Sequence, residues 1–225
     1  FISDTAGEQR LISYAEALDD TNAYDIDWYT AYYLHEMEKI NLIDKTGKSG
    51  GGREFYGETL QANDKTLNVS FNTQHVRTDL PMTCFADVAA SSSEHSTFTL
   101  QLAGKSTMVT IKPISTSDFE TKAESGTMLL KTYPQTTGRQ NVVLYYDYAS
   151  SESSSMGYVN YIELNVPLQL TLQGSAISIC NTNYLFQTRN TRFTLTNATA
   201  TTQIWRVTDG VNIEQIPTTI NQNQM

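Results

Sequence analysis

Cysteine is nearly absent: the chain holds only Cys84 and Cys180, and neither stands in a CxxC motif. That arithmetic argues against a thiolate zinc ribbon and against thioredoxin-type exchange. Both lie in apolar, strand-like surroundings, Met82-Thr83-Cys84-Phe85-Ala86 and Ile177-Ser178-Ile179-Cys180, which suit buried free thiols, with a disulfide between them as the alternative. Histidine is scarce too. His35, His75 and His95 fit no HExxH or other dense ligand spacing, so no metal centre and no cofactor are expected. Basic residues are outnumbered, 15 Lys and Arg against 24 Asp and Glu, for a net charge of -9. A field of that sign repels phosphate backbones, and nucleic acid is not expected as a partner. No apolar run approaches the roughly 20 residues of a helical bilayer span, so no membrane insertion is expected. The chain opens on Phe1 with neither a basic nor an apolar leader; the expectation is a secretory signal already removed and a chain cut from something longer. No repeat of fixed period appears, which disfavours propellers and solenoids.

What is present is aromatic and hydroxylated. Thirteen Tyr and eight Phe accompany many Thr and Ser, while charged residues stay at 17%, a composition that suits a pleated, half-buried surface. Short period-two alternations follow one another from Leu60: Leu67, Val69 and Phe71; Phe98, Leu100 and Leu102; Val109 and Ile111. Turn signals such as Leu80-Pro81, Ser91-Ser92-Ser93, Ala103-Gly104-Lys105 and Ser125-Gly126 separate them. That spacing predicts an all-β fold, an antiparallel jelly-roll-like β-sandwich with a small C-terminal β extension. Residues 1–22 read as an N-terminal leader containing a short helical candidate over Gln9 to Leu18, 23–173 as the sandwich, and 174–225 as a small β unit. Gln140 to Tyr148 and Tyr158 to Leu172 read as the longest strands, joined by a polar loop, Ala149 to Ser155, expected to be mobile.

Few residues invite chemistry. A Cys-His pair of Cys84 with His35 or His75 needs a meeting in space, and the apolar surroundings of Cys84 oppose ionisation. Asp19, Asp20, Asn22, Asp25 and Asp27 supply hard oxygens, but without EF-hand spacing they read as solvated turn residues rather than a calcium site. Arg53, with Glu54 and Glu58 around Phe55 and Tyr56, reads as an Arg-carboxylate fork that locks a glycine loop. Trp28, Tyr32, Tyr146 and Tyr148 are candidates for a platform on which sugar rings stack, the mark of a carbohydrate-binding module; core packing is the competing reading.

Three stretches together resemble the region ahead of the catalytic domain in the gingipain-type cysteine peptidase family, and in particular the surface sortases of type IX secretion. They are Tyr33-Leu34-His35-Glu36 running on to Gly52-Arg53-Glu54-Phe55-Tyr56-Gly57-Glu58; Tyr158-Val159-Asn160-Tyr161-Ile162-Glu163-Leu164; and Arg192-Phe193-Thr194-Leu195 followed by Gln203-Ile204-Trp205-Arg206-Val207-Thr208-Asp209. Two additional glycines interrupt the first motif, and Arg206 and Gly210 stand where the family has Asp and Pro. The resemblance implies that Arg53, Glu54, Phe55, Tyr56, Gly57, Glu58, Trp205 and Asp209 are structural. It also implies that no catalytic residue lies in this chain and that the parent is a cysteine endopeptidase cleaving secretion signals from cargo at a bacterial outer-membrane surface. The implied partners are the protein's own downstream peptidase domain and the secretion-signal regions of cargo proteins, with surface polysaccharide as the partner in the carbohydrate-binding alternative.

Overall fold

The computed structural model describes residues 13–19, 21–42, 54–115, 122–179, 190–207 and 212–219, and among these the chain is strand and loop without helix. The strands are β1 (Ser13–Tyr14), β2 (Tyr24–Ile26), β3 (Trp28–Glu36), β4 (Thr59–Leu60), β5 (Thr66–Phe71), β6 (Met82–Ser91) and β7 (Ser96–Leu102). They continue as β8 (Lys105–Ile111), β9 (Glu124–Thr132), β10 (Gln140–Tyr148), β11 (Met156–Gln169), β12 (Thr191–Phe193), β13 (Trp205–Val207) and β14 (Ile213–Gln215). Two compact units divide them: Trp28–Gln169, and a second formed by Phe1–Asp27 with Leu170–Met225.

In the first unit every strand pair is antiparallel. One sheet runs β5-β10-β7-β8, and the other runs β3-β11-β6-β9 with β4 also on β11. Numbering only the eight long strands in chain order, the sheets read 1-8-3-6 and 2-7-4-5. This is the jelly roll, in which successive strands cross from one sheet to the other and only the β7–β8 hairpin stays within one. The core lies between them, because alternation sends every second side chain inward. Phe98, Leu100, Val142, Leu144 and Tyr146 from one sheet meet Cys84, Ala86, Val88, Ile162 and Leu164 from the other, all of them buried. Small residues face large ones. A Cβ on Gly157 would stand 2.8 Å from Phe98 Cζ and 2.9 Å from Tyr146 Cγ, so glycine there lets the sheets close over those rings.

Local chemistry explains the connections. Ala103 (φ 49°) and Gly104 (φ 71°) form the two-residue loop of the β7–β8 hairpin, the left-handed pair whose twist matches that of the strands. The loop between β10 and β11, expected to be mobile, is instead tied down. Its backbone turns back at Glu152 and Ser155, Glu152 Oε1 accepts a 2.6 Å hydrogen bond from the Ser93 hydroxyl, and the buried Ser155 hydroxyl lies 2.7 Å from the Tyr146 phenol. Composition had flagged few apolar groups, but hydroxyls and one carboxylate fix a short loop as well as packing does.

In the second unit β1 pairs β14 in parallel, β14 pairs β13, and β12 lies parallel to β2. The helical candidate over Gln9 to Leu18 is corrected where it is described: Ser13 and Tyr14 are strand, and residues 15–19 are not helical. A ten-residue helix is marginal alone, and Ala15 instead donates its backbone N–H to Gln215.

Candidate functional site

The motif segment Glu54 to Glu58 sits at one end of the five-stranded sheet. Beyond Glu36 the chain leaves the sheet and bridges to Tyr56 at Ile40; Gly57 and Glu58 then exchange backbone hydrogen bonds of 2.8 and 3.0 Å with Val159. From there β4 takes over the edge position along β11 that β3 has vacated. The crossing is tight. A Cβ on Gly57 would lie 2.6 Å from Met37 Cβ and 2.7 Å from the Met37 carbonyl oxygen.

Tyr56 is buried with Leu42, Ala89 and Tyr158, its ring edge-on to Tyr158 at 6.0 Å. Burial first, then the charges of Glu54 and Asp87 and a hydrogen bond to Glu54, push its phenol up to about 12. The phenol therefore stays protonated and donates to the carboxylate. Glu58 finds its partner in His35, whose Nε2 lies 2.7 Å from Oε1, where the sequence suggested Arg53; Arg53 itself lies outside the described residues. Phe55 is exposed.

The outer face of the same sheet is built by register. Leu34, Glu163, Phe85 and Leu129 form one cross-strand row; Glu36, Tyr161, Asp87 and Thr127 form the next. A β-bulge in β11 between Val159 and Tyr161 places Asn160 beside this second row, where its amide donates to Asp87. Phe85 and Tyr161 stack with centroids 5.8 Å apart, while Leu34 and Leu129 are 45% and 64% exposed. Burial raises the Asp87 carboxyl above its usual value and Glu54 adds to this, against the Asn160 hydrogen bond. Tyr161 is raised by desolvation and by the carboxylates of Asp87, Glu163 and Glu36. This face is both greasy and acidic.

The opposite outer face, on the four-stranded sheet, differs. Its rows read Asn68, Val143, Gln101 and Ser106, then Thr66, Tyr145, Thr99 and Met108, mostly amides and hydroxyls that water satisfies.

The proposed aromatic platform does not assemble. Tyr146 is fully buried against Phe98 at 4.6 Å, because its position on β10 points inward, so it is core. Tyr148 lies half-buried beneath the Lys65 ammonium, 4.2 Å from its ring centre. Trp28 and Tyr32 belong to β3 in the other sheet, and of the four only Tyr32 is exposed. Cys84 is a buried free thiol, pushed up to about 12 by burial and by Glu163, the reverse of what activates a nucleophile; Cys180 lies outside the described residues.

Among the acidic turn residues, Asp19 accepts hydrogen bonds from Thr21 and Asp25 takes both prongs of Arg192 at 2.6 and 2.9 Å, each carboxyl lowered by those partners. No three His, Cys, Asp or Glu among the described residues are placed to hold a metal ion. Trp205 is exposed on β13, next to Arg206, which pairs with Glu214 across the strands. Asp209 lies outside the described residues.

No protein-family model and no curated protein matches this chain by sequence. Among solved structures, dimeric latent PorU from Porphyromonas gingivalis superposes with a TM-score of 0.76 at 16% identity, over 95% of this chain and 20% of the PorU chain. The likeness is one of fold. This chain therefore corresponds in length to about a fifth of PorU. Looser overlaps include the carbohydrate-binding module CBM36 in complex with calcium and xylotriose, at TM-score 0.35, 19% identity and 60% of this chain against 98% of that one. Another is TmCBM61 in complex with β-1,4-galactotriose, at 0.30, 9%, 68% and 97%. Overlaps that loose assign nothing to this chain. No helix among the described residues is long and apolar enough to cross a membrane.

Proposed function

We propose that this chain is a non-catalytic β module of a secreted, PorU-like sortase of type IX secretion, standing ahead of a cysteine peptidase domain as scaffold, pro-region or docking surface. The observation that carries the reading is the extent of the fold likeness: 95% of the chain superposes on 20% of the PorU chain at a TM-score of 0.76. The local structure of the Glu54 to Glu58 segment adds support. Tyr56, Gly57 and Glu58 pack, cross and pair at the edge of β11, as a motif kept for architecture would. The buried, hard-to-ionise Cys84 accords with chemistry carried elsewhere in the parent.

In this reading the parent removes secretion signals from cargo at a bacterial cell surface, and its own peptidase domain is the first partner of this module. The test compares this chain with one extended through the natural continuation beyond Met225, using a synthetic cargo secretion-signal peptide. Cleavage by the extended chain alone is the expected result; turnover by the present chain that vanishes in Cys84→Ala overturns it, and so does an extended chain that cleaves nothing.

A further inference from the structure

The outer face of the β3-β11-β6-β9 sheet combines two features that water does not satisfy together. Leu34, Phe85 and Leu129 lie in a single row across it, two of them markedly exposed. Glu36, Asp87 and Glu163 stand in and beside that row with no Lys, Arg or His ion pair among the described residues. Among the described residues Glu163 accepts the Asn165 amide and Asp87 the Asn160 amide; both donors are neutral. The other sheet, built from the same chain with the same alternation, sets Tyr145 and Met108 among Thr, Ser, Asn and Gln on its outer face, without a carboxylate in those two rows.

We propose that this face docks a partner polypeptide in extended conformation that presents aliphatic and basic side chains in turn along one of its faces. Charge complementarity decides the occupant. Glu36, Asp87 and Glu163 outnumber Lys131, which stands exposed beside Leu129 on the same face, so the face repels an acidic or phosphorylated partner and leaves a neutral one with uncompensated charges to desolvate. An extended segment repeats its side chains about every 6.6 Å on one face, so sheet-facing positions that take aliphatic and basic residues in turn set aliphatic groups against the Leu34–Leu129 row and ammonium groups beside the flanking carboxylates. Neutral sugar is the other class such a face suggests, since Tyr32 stands exposed in the neighbouring row, but a neutral ligand brings no countercharge to the carboxylates, and Phe85 is committed to its stack with Tyr161. The proposal stands on this face alone and does not require the parent to be a peptidase.

The experiment titrates the isotopically labelled chain with an acetylated Lys-Val peptide of Ser-Val-Ser-Lys repeats, whose Val and Lys share one face of an extended chain, following backbone amide shifts. Its controls are the Glu-Val counterpart and xylotriose. The expected result is saturable shifts on β3, β6 and β11 with the Lys-Val peptide only, weakened by raising salt from about 50 to about 300 mM. Glu36→Gln combined with Glu163→Gln should weaken binding about tenfold or more, as should Leu129→Ser, whose exposed side chain leaves folding intact. Met108→Ser on the opposite face should change nothing. Absence of binding, equal binding of the Glu-Val peptide, shifts caused by xylotriose instead, or indifference to these substitutions would each overturn the proposal.

Discussion

His35 Nε2 lies 2.7 Å from Glu58 Oε1, joining the last turn of β3 to the loop that feeds β4. Both side chains are mostly shielded, and the second carboxylate oxygen of Glu58 is buried without a protein partner. Removing the imidazole strands the carboxylate, so His35→Ala is expected to destabilise by about 1–2 kcal/mol, and Glu58→Gln, which keeps an acceptor, by less. Urea unfolding midpoints at neutral pH check the order.

Gly57 leaves no room for a side chain. Gly57→Ala puts a methyl against the Met37 backbone, which cannot rotate away, and is expected to cost about 2 kcal/mol or more. Gly138→Ala, where a Cβ meets nothing within 4 Å, serves as the neutral control in the same thermal melts.

Ala103 sits at φ 49° in the β7–β8 hairpin, a left-handed conformation that strains an ordinary side chain. Ala103→Asn is expected to stabilise by about 0.5–1 kcal/mol, seen as a rise of a few degrees in Tm. The Gln135 side chain bonds the Ala103 carbonyl and so tolerates the change.

Asp87 titrates above the ordinary carboxyl value of 3.8 when folded. The folded chain then holds that proton more tightly than the unfolded one, so its contribution is full below pH 3.8 and is lost as pH rises through the raised value. Asp87→Asn is therefore expected to raise the unfolding midpoint at pH 7 and to leave it unchanged near pH 3. Denaturation curves across that range give the sign.

Cys84 is wholly buried and its thiol is pushed up to about 12. In a Cys180→Ser background, a thiol reagent is expected to leave Cys84 unmodified in the native chain and to react fully once denaturant unfolds it. Rapid native labelling would contradict the burial.

The strands and the sandwich were legible because alternation survives in the plain sequence: Phe98, Leu100 and Leu102 alternate with polar neighbours and all point inward. The Ala103-Gly104 turn was legible for the same local reason. The helical candidate at the N-terminal end misled because a short amphipathic spacing carries no information about a strand partner some 200 residues away. Tyr146 and Tyr148 sit two apart and were grouped as a platform, but period two also describes a core stripe, and only the other sheet, which closes over Tyr146 at Gly157, decides between them. The acidic, apolar outer face was invisible. Leu34, Phe85, Leu129 and Glu163 come from four strands, and only register makes them neighbours; the single local hint was Phe85 and Asp87, which share a face of β6.

In both sheets the strand that arrives late is inserted second from the edge: β10 between β5 and β7, β11 between β3 and β6. The earliest strands wait for the latest, Trp28 finding its neighbour only at Gln169. Neither sheet has a stable half-assembled form with all its early strands paired, so a growing chain has little to gain from folding before β11 has been made. Wiring of this kind is expected to close slowly, its rate limited by long-range search rather than by local structure.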